Sequence, residues 1–172
     1  MVGKEEVKPV AVLVITCVVW GALLGLIHSA TEKKIEEAER SELYRTLSEI
    51  FPNAQFEEEE GHYLCLENGK VVGYAIVVEE RGFGGRMEVL VGISEEGTVA
   101  GVRILTHGET PGLGSRVAEE EFLVQFIGKD LEKIALKRDG GEIEGVTGAT
   151  ISSRAVVRAV RSGLENLLGV VR

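Results

Sequence analysis

From Pro9 to Ile27 the chain reads PVAVLVITCVVWGALLGLI, without a single charged residue. No other feature constrains the fold as strongly. A helix over that run rises ~28 Å, close to the ~30 Å hydrocarbon core of a bilayer. Within lipid every backbone polar group needs an internal partner, and a helix supplies it. Two other readings compete. A cleaved signal peptide has a shorter apolar region and a small-x-small cleavage site. Here the run is longer, and His28 makes the stretch Ile27-His28-Ser29-Ala30 a poor site. A buried core helix is rarely so uniformly apolar. We therefore read residues 1–8 as a short tail and 9–28 as one transmembrane anchor held in membrane lipid.

Charge separates this anchor from the rest. Lys4, Lys8, Glu5 and Glu6 cancel, so the formal charge of −9 resides on the residues after the anchor. Such acidity argues against nucleic acid, which calls for a basic face, and against docking on anionic headgroups. Lys33, Lys34 and Arg40 against Lys4 and Lys8 tilt the positive-inside count toward a cytoplasmic carboxyl-terminal domain. Neither Cys17 nor Cys65 has a second cysteine at ligand spacing, so zinc and iron–sulfur sites are not expected. No metal site is expected at all.

Beyond the anchor the apolar period changes. Residues 29–54 read as a connecting helix, with Ile35, Ala38, Leu43, Leu47 and Ile50 along one stripe and Pro52 past its end. Residues 55–172 read as one α+β domain, an antiparallel sheet with flanking helices. Its strands are Tyr63–Leu66, Val71–Val78, Met87–Ile93 and Val99–Leu105, joined by Asn68-Gly69, the Arg81–Arg86 glycine loop and Glu95-Glu96-Gly97. A helix is expected over Ala118–Phe126, a short strand at Ile134–Leu136, and a final helix over Ser152–Val170.

Two segments carry candidate chemistry. Residues 144–153 read EGVTGATISS. Gly148 and Ala149 leave the backbone approachable, and Thr147, Thr150, Ser152 and Ser153 gather hydroxyls where a helix begins. Free N–H groups at a helix start favour an anion such as a phosphate. The same pattern also fits a plain N-cap. Residues 106–114 read THGETPGLG, placing an imidazole, a carboxylate and a hydroxyl around a Pro-Gly turn. That loop also fits an ordinary surface turn.

Together the two segments resemble the FMN-binding domain family. HGETPGLG is similar to its HxETPGLG loop, TGAT-ISS to its covalent flavinylation motif, and Gly82-Phe83-Gly84-Gly85 to its glycine loop. With one anchor, the architecture resembles the G subunit of Rnf-type electron transport complexes and its relative, the C subunit of the sodium-pumping NADH:quinone reductase. The resemblance implies covalent FMN on Thr150, donated from FAD by a separate flavin transferase that reads Thr147, Gly148 and Ala149. It places His107, Glu109, Thr110, Leu113 and Gly114 near the flavin, with Ser152 and Ser153 helping to bind phosphate. It departs at Glu144, where the motif usually has aspartate. It implies the other subunits of an Rnf-type complex as partners, ferredoxin:NAD oxidoreduction coupled to sodium or proton movement, and an extracytoplasmic domain on the cell (inner) membrane. A stand-alone membrane-tethered FMN reductase and a non-redox anchor or scaffold are the competing functions.

Overall fold

The computed structural model of the chain describes residues 4–171; of the expected tail, residues 1–3 lie outside them. The chain forms two compact units, Met1–Glu42 and Leu43–Arg172. Helix α1 (Lys4–Ile50) supplies the first and opens the second. In the first unit, Val12, Leu13, Val19, Trp20, Leu24 and Leu26 are all exposed. Thr16 hides its hydroxyl by donating to the Val12 carbonyl at 2.8 Å. Among the described residues α1 is the one helix long and apolar enough to cross a membrane.

The second unit is a meander of five antiparallel strands in sequence order: β1 (Gln55–Glu59), β2 (His62–Glu67), β3 (Lys70–Arg81), β4 (Arg86–Ser94) and β5 (Val99–His107). Short turns force sequential neighbours to pair antiparallel. The β2–β3 turn places Asn68 and Gly69 at φ 52° and 76°, as a tight hairpin requires. The α+β expectation holds, and four of the strands fall where their apolar and β-branched runs predict. Strand β1 lies outside the expected set. Its sequence, QFEEE, has little β propensity, and it forms through pairing with β2.

Both faces of the sheet are covered. Met87, Val89, Val91 and Ile93 of β4 point to one face, where Val156, Val160, Leu164 and Leu167 of α3 (Thr150–Val171) pack on them. Leu90 points to the other face and joins Leu47, Phe51, Cys65 and Ala75. That second layer depends on a glycine floor. Gly92 faces Gly101 across the β4–β5 pair, and Gly73 lies nearby on β3. Ile50 and Phe51 settle onto these positions. A Cβ at Gly92 would sit 2.9 Å from both Ile50 Cγ2 and Phe51 Cε2.

Three local expectations are corrected. Residues 118–126 do not form one helix; a 3-10 turn at Gly114–Ala118 leads to α2 (Glu120–Leu123) and a second 3-10 turn at Val124–Phe126. Glu119 takes an extended backbone, φ −71° and ψ 144°, between the first turn and α2, and Val117 on one side of it shares the core with Phe122, Leu123 and Phe126 on the other. Ile134–Leu136 forms no ladder strand; Leu136 makes one isolated parallel bridge to Ile143. The final helix begins two residues earlier than its apolar face suggests, at Thr150.

Cys65 gives a direct test of this packing. Burial pushes its thiol up to about 12, so no nucleophilic thiolate forms near neutrality. In a Cys17→Ser background, Cys65 should stay unlabelled by a maleimide at pH 8 and react once denaturant is added. The unfolded thiol ionises first as pH rises, so stability should fall from about pH 9 until about pH 12. Labelling of the native chain at the unfolded rate would contradict the buried placement.

Candidate functional site

Thr150 starts α3 at the end of a tight turn. The Ala149 N–H donates to Val146 O at 3.0 Å, closing a turn with Gly148 at φ 82°. L residues rarely adopt that conformation, and a Cβ there would also meet Leu113 Cδ1 at 2.9 Å. The first intrahelical bond runs from Ser153 N–H to Ala149 O at 2.9 Å. Ala149 is therefore the cap residue, and its methyl satisfies no amide. The amides of Thr150, Ile151 and Ser152 precede that first bond and form the positive end of the helix. Thr150 is not a plain cap. Its hydroxyl, half-buried, accepts from Arg138 Nη1 at 3.3 Å.

Gly148→Ala should destabilise the chain by about 1–2 kcal/mol through its left-handed conformation. The expected readout is a lower unfolding midpoint; an unchanged midpoint would contradict the turn.

Glu109 organises the neighbouring loop. It is only 5% exposed. Its Oε2 accepts from the Ser152 hydroxyl at 2.6 Å, and its Oε1 from the Gly84 amide at 3.3 Å. One buried carboxylate thus ties three segments: its own loop, the glycine loop and α3. Glycine is required around it, since a Cβ at Gly82 or Gly114 would overlap the carboxylate and one at Gly84 would overlap the Gly108 carbonyl. Upstream, exposed His107 accepts the Glu109 N–H through Nδ1 at 3.3 Å, which places the proton of a neutral ring on Nε2. Downstream, Leu113 N–H donates to Thr110 O at 3.2 Å across the Pro111-Gly112 turn.

These segments enclose a cleft of about 310 Å³ lined by Phe83, Glu109, Thr110, Leu113, Gly114 and residues 148–152. Its volume is at the lower end of small-molecule sites, ~300–1,000 Å³. The lining is largely apolar, and Phe83, 70% exposed, stands at its rim with Leu113 and Ile151. An aromatic ring system fits such a cleft, with the Thr150 hydroxyl and the first amides of α3 at its edge. A larger cleft of about 480 Å³ is lined by Arg116, Glu119, Glu121, Gln125 and residues 144–147, among others. Its carboxylates make it a poor seat for an anion.

The same segments are what known proteins share with this chain. A model of the FMN-binding domain matches residues 82–165. The G subunit of an ion-translocating oxidoreductase complex from Methanosarcina acetivorans is 32% identical over 178 residues, covering 95% of each chain. This chain belongs to that G-subunit family. The G subunit of a proton-translocating ferredoxin:NAD(+) oxidoreductase complex from Clostridium ljungdahlii is 28% identical, with 90% of this chain and 88% of that one covered. The solved C subunit of a Na(+)-translocating NADH-quinone reductase from Parabacteroides distasonis superposes with a TM-score of 0.54 at 20% identity, covering 64% of this chain and 61% of that one. That likeness shows a shared fold.

Within the motif segments of this G-subunit chain, the structure groups Glu109, Thr110, Leu113, Gly114, Gly148, Ala149, Thr150 and Ser152 around one cleft. His107 stands outside its lining, and Thr147 borders the two neighbouring clefts instead. Ser153 is fully buried; its hydroxyl donates to Ala149 O at 2.9 Å and accepts from Val146 N–H at 3.0 Å. Ser152 and Ser153 therefore brace the turn in this structure. Glu144 turns its carboxylate to Lys137 Nζ at 3.0 Å, while the Gln125 side chain holds both its backbone groups at 2.8 and 3.2 Å. Sequence reasoning missed Phe83, Ile151 and Arg138 as site residues. The glycines around Phe83 are a usable signal; Arg138 has none.

Proposed function

We propose that this chain is the electron-carrying flavoprotein subunit of a membrane-bound, Rnf-type ferredoxin:NAD oxidoreductase complex coupled to sodium or proton translocation, with FMN esterified to Thr150. The observation that carries this reading is Thr150's position: a half-buried hydroxyl at the open end of α3, beside a ring-sized apolar cleft.

Maturation is a group transfer. The Thr150 hydroxyl oxygen bonds to the flavin-side phosphorus of FAD, and the bond from that phosphorus to the AMP oxygen breaks. AMP leaves, and the hydroxyl proton passes to solvent or to a base on the flavin transferase. The chain holds the acceptor in place. Gly148 shapes the turn, Ser153 locks it from beneath, and the first amides of α3 would hold the phosphate. Bound FMN supplies one- and two-electron carriage, while the protein sets placement and environment. Glu109 holds the Phe83 loop against the start of α3. A covalent tether keeps the cofactor from diffusing out of an extracytoplasmic domain on the cell membrane. Helix α1 anchors that domain by a single pass in lipid, with 1–8 as tail, 9–28 as anchor, 29–54 as connector and 55–172 as the FMN-binding domain. The positive-inside count points the other way, but a large domain translocates despite a small charge bias.

The test is peptide mapping of the full chain made with a flavin transferase. Trypsin should release Asp139–Arg154, bounded by Arg138 and Arg154. That peptide should carry FMN mass and fluorescence, with fragmentation placing it on Thr150. The loaded chain should co-purify with polytopic membrane subunits and be reduced through them from ferredoxin. An unmodified peptide would sink the covalent reading. A loaded chain that is reduced without those subunits would favour the stand-alone reductase.

A further inference from the structure

We propose that Arg138 is the counter-charge of the phosphodiester on Thr150, so that phosphate and flavin ring occupy different clefts. This rests on the reading of Thr150 as the attachment point. Thr150 borders two cavities. One is the apolar cleft that suits the ring. The other, of about 390 Å³, is lined by Leu136, Lys137, Arg138, Thr150 and residues 144–148. The two linings share only Gly148 and Thr150.

The basic side chains near the second cleft are not equivalent. Lys137 is paired with Glu144 at 3.0 Å. Arg154 forks onto Asp139 at 3.1 and 3.0 Å. That fork, with the nearby Arg154 and Arg138 charges, holds the Asp139 carboxyl below its ordinary value. These pairs pin the 3-10 turn Lys137–Asp139 on both sides, and Gly140 ends it in a left-handed conformation. Arg138, between them, directs Nη1 to the Thr150 hydroxyl. Its guanidinium therefore already points at the oxygen that would become the ester.

A phosphodiester keeps one negative charge near neutrality, and a planar guanidinium matches two of its oxygens better than an ammonium does. Free amides at the start of α3 add donors without adding net charge. The ring has the opposite need. It gains from the apolar walls formed by Phe83, Leu113 and Ile151. Thr150 thus divides the cofactor by chemistry, anion to one cleft and ring to the other.

The experiment compares wild type, Arg138→Gln and Arg138→Lys as full chains, each incubated with flavin transferase and FAD. Two quantities are read: the rate of covalent loading and the phosphorus-31 resonance of the loaded protein. Arg138→Gln should load roughly fivefold more slowly, and its resonance should move toward that of a free phosphodiester. Arg138→Lys should fall between. Because Arg138 is exposed, thermal unfolding of the unloaded chains should be unchanged. Loaded wild type with an Arg138→Gln variant identical in both readouts overturns this proposal alone. Slowed loading with an unmoved resonance also overturns it, since Arg138 would then serve the transferase and not the phosphate. An unloaded wild type overturns both this proposal and the attachment reading.

Discussion

Thr150→Ala, made alongside a flavin transferase, should show no flavin fluorescence on a denaturing gel where the wild-type chain gives a bright band. The expected effect is all or none, because an ester needs an oxygen and alanine offers none. The neighbouring hydroxyls should not substitute. Ser153 is fully buried under the turn, and Ser152 spends its proton on Glu109. Thr147 is exposed, but it lies on the other limb of the Val146–Ala149 turn and outside the apolar cleft. Stability should hardly change. The Thr150 side chain is half-buried and its hydroxyl bond is a 3.3 Å contact with an exposed arginine, so the substitution should stay within about 0.5 kcal/mol of wild type. Thr150→Ser should recover loading. A fluorescent Thr150→Ala band would mean that another residue carries the flavin.

Glu109→Ala should have the second largest effect, and on stability the largest. It removes a buried acceptor from two donors, the Ser152 hydroxyl and the Gly84 amide. A buried polar group left without a partner costs about 1–3 kcal/mol; the Ser152 hydroxyl is such a group, while the amide of exposed Gly84 can turn to water, so the loss should lie near the upper end of that range. The glycine loop should also come free of α3, since Gly84 and Ser152 lie 25 and 43 positions from Glu109 and this carboxylate joins them. Glu109→Gln keeps the shape and one acceptor oxygen, and should lose about half as much. Chemical denaturation of the detergent-solubilised chain measures the stability. Quenching of the loaded flavin by iodide measures loop closure, and should rise in the order wild type, Gln, Ala. An Ala variant as stable as wild type would mean that the carboxylate does not brace the site.

Much of the architecture is readable in the sequence because its causes are local. The charge-free run from Pro9 to Ile27 specifies an apolar helix whatever surrounds it. Asn68-Gly69 specifies a hairpin within four residues. The β-branched runs of β3 to β5 and the apolar face of α3 specify strands and a helix by period alone. Where local preference is weak or misleading, the fold departs from it. Strand β1 is mostly glutamate and exists only because β2 offers it a ladder. Residues 118–126 carry an apolar pattern that suits a helix, yet the extended backbone at Glu119 divides the segment into short turns that bury Val117 with Phe122, Leu123 and Phe126.

The site divides along the same line. By itself, the sequence determined the membrane-length apolar helix, the order of strands, the turn at Gly148 and the two motifs that mark the FMN-binding domain. Each follows from the pattern of a continuous stretch of chain. Tertiary structure alone decided that Glu109 is a buried brace, that Ser152 and Ser153 face inward, that Gly73, Gly92 and Gly101 form a floor for Ile50 and Phe51, and that Arg138 meets Thr150. The Glu109 and glycine-floor contacts join positions more than 20 apart in the chain, and those of Arg138 and Ser153 cross from one element to the next. Their geometry follows from how the sheet closes between its two cores, and dense packing leaves each side chain few places to go. No short stretch of sequence contains that information.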